Sequence, residues 1–307
     1  MPGTDLTGLN VSVGRHMNPE LLSEQPAAGS HATPILFVHG AYHGAWSYRH
    51  WLPYFADHGY AAYALSLRGH GANRHRDDLR AVRLEDYVED IGWGLARIGA
   101  PAVLVGHAMS GPLALLSGAR FARLTRAVVL LASAAPQAVG RKRAAPLRQA
   151  LASDGGVALA YARATMQSRL RGALHHPITS AELFRRAFLS PDIPAHDLHA
   201  YFPLVQPESP IAIQQTLQGS FRPDLSGLEA PVVIVGAYGD VFVPADDVRA
   251  TAALFRIEAL FSRGGSDLML DAHWIEAAAL ILEALSARGI PVGGVVLLRS
   301  HRGAFAR

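Results

Sequence analysis

Five short runs in this chain are apolar almost from end to end: "PILFV" from residue 34, "YAAYALSL" from 60, "PAVLVG" from 101, "RAVVLLASAAP" from 126 and "APVVIVGAYGD" from 230. A strand with one wet face alternates apolar and polar residues, whereas a continuous run suits a strand covered on both faces. Between the runs lie segments with apolar residues at helical spacing, including "SYRHWLPYFADHG" (47–59), "RLEDYVEDIGWGLARIG" (83–99) and "GPLALLSGARFA" (111–122). The fold class is therefore α/β, with a mostly parallel central sheet and helices on both faces. "NVSVGRHM" (10–17) and "RIEALFS" (256–262) are expected as further strands, and "ADDVRATAALF" and "DAHWIEAAALILEALSARG" as the last helices.

The alternation stops after residue 136. From 137 to 222 there is no convincing buried strand. Helical patterns at "APLRQALASDGGVALAYARATMQSRL", "SAELFRRAFL" and "PAHDLHAYFPLV" are separated by Pro-containing joints. We read residues 1–136 and 223–288 as one α/β core, 137–222 as an inserted helical cap, and 289–307 as a C-terminal tail.

Composition narrows the function. Of the 28 cationic side chains in 307 residues only Lys142 is a lysine, and the net charge is +3. The arginines are scattered and the one compact basic run, "RKR" (141–143), is short, so nucleic-acid binding is not expected. There is no cysteine, hence no disulfide framework or thiolate nucleophile. The polar first 20 residues lack a signal-peptide pattern, and no apolar run reaches the ~18 residues of a membrane span. A cytoplasmic protein without membrane attachment is expected. The close histidine pairs His175/His176 and His196/His199 lack a carboxylate partner set, and neither a P-loop nor a three-glycine dinucleotide motif occurs. No metal and no cofactor are expected.

The strand "PAVLVG" runs directly into "GHAMSG" (106–111) and then a helix. With "FVHGAYHGAW" (37–46), "LRGHG" (67–71), "GAYGDVFVP" (236–244) and "GGSDLMLDAHW" (264–274), this turn resembles the α/β-hydrolase fold superfamily over residues 34–288. The HGxxHGAW form is similar to small-ester hydrolases, lysophospholipase-like proteins and the hydroxynitrile-lyase/methylesterase group.

The resemblance implies a nucleophile, a histidine base, an acid and a backbone oxyanion hole. The nucleophile position falls on Ala108 and the base position on Ser266, so the triad is degenerate. The acid position falls on Asp240, which matches. The oxyanion donors are implied to be the N–H groups of Ala41 and Met109, which do not depend on side chains.

Other residues are weighed as substitutes. Ser110 and His107 read as packing residues, His70 as part of a structural loop, and His273 as a cap or surface residue. Tyr42 and His43 follow the oxyanion-loop glycine and are candidate catalytic groups. His175, His176, His196, His199 and Tyr201 of the cap are candidates to reach the site, without a way to choose among them.

Lacking nucleophile and base, the covalent acyl route is closed. Oxyanion stabilisation remains useful where charge grows on a carbonyl oxygen without covalent attachment. The expected function is a non-hydrolytic lyase or cyclase/isomerase acting on a carbonyl-containing apolar small molecule, with natural-product biosynthesis as its setting. A catalytically silent pseudo-hydrolase that binds a small molecule or protein, and an ester hydrolase with an atypical or engineered site, are the alternatives.

Overall fold

The computed structural model describes residues 19–27, 33–74, 78–135 and 154–290. The expected strand at 10–17, the start of the first cap helix and most of the 289–307 tail lie outside these residues.

Seven strands form one sheet in the order β1-β3-β2-β4-β5-β6-β7. They are β1 (Leu21–Glu24), β2 (Pro34–Val38), β3 (Ala61–Leu65), β4 (Ala102–His107), β5 (Thr125–Leu131), β6 (Val232–Ala237) and β7 (Leu260–Ser262). Every pairing is parallel except β1 with β3, which is antiparallel. The edge strand β1 was not expected from the sequence: only Leu21 and Leu22 of its four residues are apolar. β7 is three residues long, shorter than the expected "RIEALFS".

The continuous apolar runs are strands covered twice. Ile35, Phe37, Val103, Val105 and Val129 point to one side, where they pack with α1 (Trp51–Asp57) and α9 (Trp274–Ser286). Leu36, Val38, Leu104, Val128 and Leu130 point to the other, against α2 (Leu84–Ile98), α3 (Ser110–Arg120) and α8 (Ala245–Leu254). Period two along each strand thus feeds two separate cores.

Helix boundaries follow local chemistry. Asp86 accepts the Arg83 N–H at the start of α2, and Gly99 ends it with φ 73°. In the 137–222 region four helices are described: α4 (Gly155–Arg171), α5 (Ala181–Phe188), α6 (Ala195–Tyr201) and α7 (Pro210–Gln218). Asp154, Ser180 and Ser209 cap α4, α5 and α7 with their side chains. α7 was not singled out from the sequence, although Ser209 followed by Pro210 is a helix-start signature. A single antiparallel bridge joins His175 to Glu208.

Gln206 and Glu208, between α6 and α7, are tied to the loops after β2 and β3 and to α2. Gln206 N–H donates to Tyr42 O at 2.8 Å, and Gly71 N–H donates to Gln206 Oε1 at 2.8 Å. Tyr87 Oη–H donates to Glu208 Oε1 at 2.5 Å. Buried Glu208 also faces His70 Nε2 at 3.2 Å. Burial alone would push the Glu208 carboxyl up, yet His70 and its other donors hold it below the ordinary value.

Candidate active site

The carboxyl ends of β2, β4, β5 and β6 deliver the loops that carry the candidate residues, the usual place for a site in a parallel sheet. β4 ends at His107, and the next residue, Ala108, adopts φ 47°. This left-handed conformation is costly for a residue with a Cβ, of order 1–3 kcal/mol. It is held by Ala108 N–H donating to Leu131 O at 2.9 Å and Ser133 Oγ–H donating to Ala108 O at 2.6 Å. The chain therefore turns tightly from β4 into α3 at Ala108, which presents a methyl group.

Opposite it, Gly40 must be glycine: a Cβ there would lie 2.8 Å from His107 Nδ1 and 3.1 Å from the Ala108 Cβ. Gly40 N–H donates to His107 Nδ1 at 3.2 Å, so the His107 proton sits on Nε2, which donates to Ser266 O at 2.9 Å. Burial, the largest influence, lowers the His107 pKa and keeps the ring neutral. His107 thus clamps three site loops together, in keeping with its expected structural role. Ser110 is fully buried and donates to His39 O at 2.5 Å, also a packing role.

The two implied oxyanion donors flank this junction. Among the described residues, neither the Ala41 nor the Met109 N–H has a protein acceptor. Met109 immediately precedes α3, whose N-terminal dipole adds positive potential there.

Asp240 follows β6. Its Oδ1 accepts from the backbone N–H groups of Phe242 (2.8 Å) and Val243 (3.0 Å), while buried Oδ2 has no partner. Desolvation raises its pKa to about 7, with the charge of Asp267 pushing the same way. Ser266 stands beside this carboxyl, its hydroxyl close enough to lower the Asp240 pKa against the larger effect of desolvation, and is itself buried. The acid-position and base-position residues are therefore neighbours, but the base position holds only a hydroxyl.

His43, expected as a candidate catalytic group, lies between Ala41 and Asp267. It is fully buried, Nδ1 donates to Ala41 O at 2.7 Å, and Nε2 lies 2.7 Å from Asp267 Oδ2. Neither contact is open to a substrate, since both ring nitrogens already face oxygens. Burial pulls its pKa down, but the Asp267 carboxylate outweighs this and raises it above the ordinary histidine value. Asp267, next to Ser266 and fully buried, was missed in the sequence. A lone Asp in the apolar stretch "SDLML" signals a buried partner without revealing which one.

Tyr42 has φ 72° and is 2% exposed; its hydroxyl lies 2.9 Å from His175 Nδ1. Thr165 Oγ1–H donates to Tyr161 O, and Thr165 Oγ1 is 3.1 Å from His175 Nε2. Thr165 is therefore the acceptor from His175 Nε2–H, which leaves Nδ1 to accept the Tyr42 proton. Desolvation lowers the His175 pKa to about 4, consistent with a neutral ring.

Of the cap candidates, His175 is the one joined to Tyr42. His176 is half-buried, His196 and His199 are exposed, and Tyr201 hydrogen-bonds His50 Nε2 at 2.9 Å. His273 pairs with exposed Asp192 at 3.1 Å. Tyr42, Tyr161, Phe188 and Phe242 form a continuous aromatic cluster, with ring centroids 5.1–6.3 Å apart.

No curated protein matches the sequence. Solved structures share the fold at low identity. A thermophilic esterase from Thermogutta terrifontis superposes with TM-score 0.63 and 16% identity, covering 91% of this chain and 96% of that one. The Paleococcus ferrophilus monoacylglycerol lipase gives 0.62 and 17%, covering 88% and 99%. The enol-lactonase from Burkholderia xenovorans LB400 gives 0.61 and 14%, covering 87% and 97%. The Alpha/beta hydrolase family model matches residues 35–283. The chain belongs to the alpha/beta hydrolase family.

Proposed function

We propose that this protein is a cofactor-independent, non-hydrolytic enzyme, a lyase or cyclase/isomerase, that moves a proton next to the carbonyl of an apolar small molecule. The observation that carries the reading is the Asp240 carboxyl: buried, with Oδ2 free of partners and a pKa raised to about 7. A group titrating near neutrality populates both the form that accepts a proton and the form that returns one.

In this reading the substrate carbonyl oxygen lies between the Ala41 and Met109 N–H groups. Asp240 takes the proton from the adjacent carbon, and the carbonyl oxygen takes up the negative charge as an enolate. Each backbone donor is worth about 2.7–4 kcal/mol of transition-state stabilisation when preorganised. Bond cleavage, ring closure or return of the proton at another atom then follows from the enolate. The aromatic cluster of Tyr161, Phe188 and Phe242 suits an apolar substrate, and Tyr42 helps shape that wall. His43, its ring engaged by Ala41 and Asp267, supports the oxyanion loop from behind. The reading needs no metal, nucleic acid or membrane partner, and the chain works in the cytoplasm on a small molecule. No helix among the described residues is long and apolar enough to cross a membrane.

The test is hydrogen exchange. A panel of apolar ketones is incubated with the protein in heavy water, and deuterium next to the carbonyl is read by mass spectrometry. Exchange with the wild type that is lost in Asp240→Asn supports the reading. Tight binding of a panel member without exchange favours a silent ligand-binding protein instead.

A further inference from the structure

Each proposed oxyanion donor is one end of an amide whose other end is already engaged by a buried side chain. The Ala41 N–H belongs to the Gly40–Ala41 amide, and His39 Nδ1 lies 2.7 Å from Gly40 O. Leu67 N–H donates to His39 Nε2 at 3.0 Å, so the His39 proton is on Nδ1 and is given to that carbonyl. The Met109 N–H belongs to the Ala108–Met109 amide. Its carbonyl accepts Ser133 Oγ–H at 2.6 Å and Gly111 N–H at 3.1 Å. His39 is fully buried, as is its bond to Gly40 O, and Ser133 is 1% exposed, its bond to Ala108 O being part-buried.

An amide is one conjugated unit. A proton given to its oxygen draws electron density away from nitrogen and makes the N–H a stronger donor. Such cooperative strengthening is about 10–30% per bond in a condensed phase. The same device occurs at both amides, from two unrelated places: the end of β2 and the loop after β5. Packing alone does not ask for that coincidence.

We propose that His39 and Ser133 are positioning residues that polarise the two amides, tuning the site for a ligand with an anionic oxygen of the enolate or phenolate class. This rests on the Ala41/Met109 pair being the oxyanion site of the reading above. Neutral and anionic forms of one ligand then respond differently: the anion gains from stronger donors and the neutral form hardly does.

Nitro- and chlorophenols are the probes, because ionisation in the bound state is read directly by absorbance. Wild-type protein is expected to prefer phenolate to phenol, seen as a lowered apparent pKa of the bound probe. Ser133→Ala is expected to reduce the phenolate-to-phenol affinity ratio about two- to four-fold, and His39→Ala by a similar factor. Ser133→Cys, which keeps a weaker donor, falls between and serves if an alanine variant does not fold. Ser117→Ala removes a buried hydroxyl on α3 that has no partner, and leaves the ratio unchanged.

A site that loses affinity for both forms equally on Ser133→Ala has lost shape only, and the inference fails while the oxyanion reading stands. An unchanged ratio in both the Ser133 and His39 variants overturns it the same way. A wild type without preference for phenolate overturns the oxyanion site itself, and the inference with it.

Discussion

The Tyr42 hydroxyl and His175 Nδ1, 2.9 Å apart, close a hydrogen-bonded chain joining the loop after β2 to the segment between α4 and α5. The chain continues through Thr165 to the Tyr161 carbonyl, so its direction is fixed and Tyr42 is its first donor. Tyr42→Phe leaves a buried ring nitrogen without a donor, which costs about 1–3 kcal/mol. Denaturant unfolding at pH 7 measures it; an unchanged midpoint would show that the chain contributes nothing. His175 adds a pH dependence. Its folded-state pKa, lowered by burial to about 4, lies below the ordinary histidine value. Its contribution is therefore complete above about pH 6.5 and is lost as pH falls toward 4. His175→Asn flattens that acid limb.

Asp240 has the opposite sign. Its folded-state pKa of about 7 lies above the usual carboxylate range, so the protonated form is favoured in the folded protein. Folding carries no penalty from this group below pH 4 and an increasing one as pH rises through 7, on the order of 4 kcal/mol at the limit. Asp240→Asn, neutral at every pH, is expected to raise the melting temperature at pH 8 and hardly change it at pH 4. A pH-independent difference between the two proteins contradicts this assignment. The same variant loses the ketone exchange, so stability rises where activity disappears.

The pair formed by His43 and Asp267 is fully buried, with 2.7 Å between Nε2 and Oδ2. Breaking such a pair by removing one partner costs about 3–5 kcal/mol. Asp267→Asn is the informative change, because it leaves an imidazole whose raised pKa had depended on the carboxylate. A histidine with a raised pKa contributes most below about pH 6.5, and that contribution is lost as pH climbs through the raised value. The cost of Asp267→Asn should accordingly be larger at pH 6 than at pH 9 in chemical denaturation. A double-mutant cycle with His43→Gln measures the coupling; a coupling near zero would mean the two side chains are neighbours without being partners.

How much of this was open to sequence reading depended on the range of the interaction. β2, β4, β5 and β6 declared themselves because burial on both faces leaves an apolar run that needs no partner to be recognised. α2 was marked by apolar residues at helical spacing within its own segment. β1 gave no such signal, since an edge strand of four residues depends on the strand it pairs with. Ala108, Ser266 and Asp240 were found through motifs local in the chain. The His43–Asp267 pair spans more than 200 residues, and Tyr42–His175 spans 133. Two histidines, adjacent as His175 and His176, look alike in sequence; only the bridge to Glu208 turns one of them inward. Ser133 lies after a strand with nothing to distinguish it, because its partner is a carbonyl oxygen.

The geometry around Ala108 also predicts what it takes to restore a covalent route. The elbow keeps φ 47°, the Leu131 and Ser133 hydrogen bonds hold its backbone, and serine fits where alanine already does. The missing base is the harder half. Ser266 stands beside Asp240, whose Oδ2 lacks a partner, and its carbonyl is fixed by His107 Nε2–H. An imidazole introduced there has an acceptor ready for Nδ1–H, leaving Nε2 for the nucleophile. Ala108→Ser alone adds a hydroxyl with no base to activate it, and Ser266→His alone adds a base with nothing to deprotonate. Residues that act as a unit are strongly non-additive, so each single variant should stay near the wild-type rate. The double variant should cleave a p-nitrophenyl ester faster than either, by the ~10²–10⁴-fold that a positioned general base supplies. Initial rates of nitrophenolate release decide it. A double variant no faster than Ala108→Ser would mean that the scaffold around Ser266 no longer accommodates a catalytic histidine.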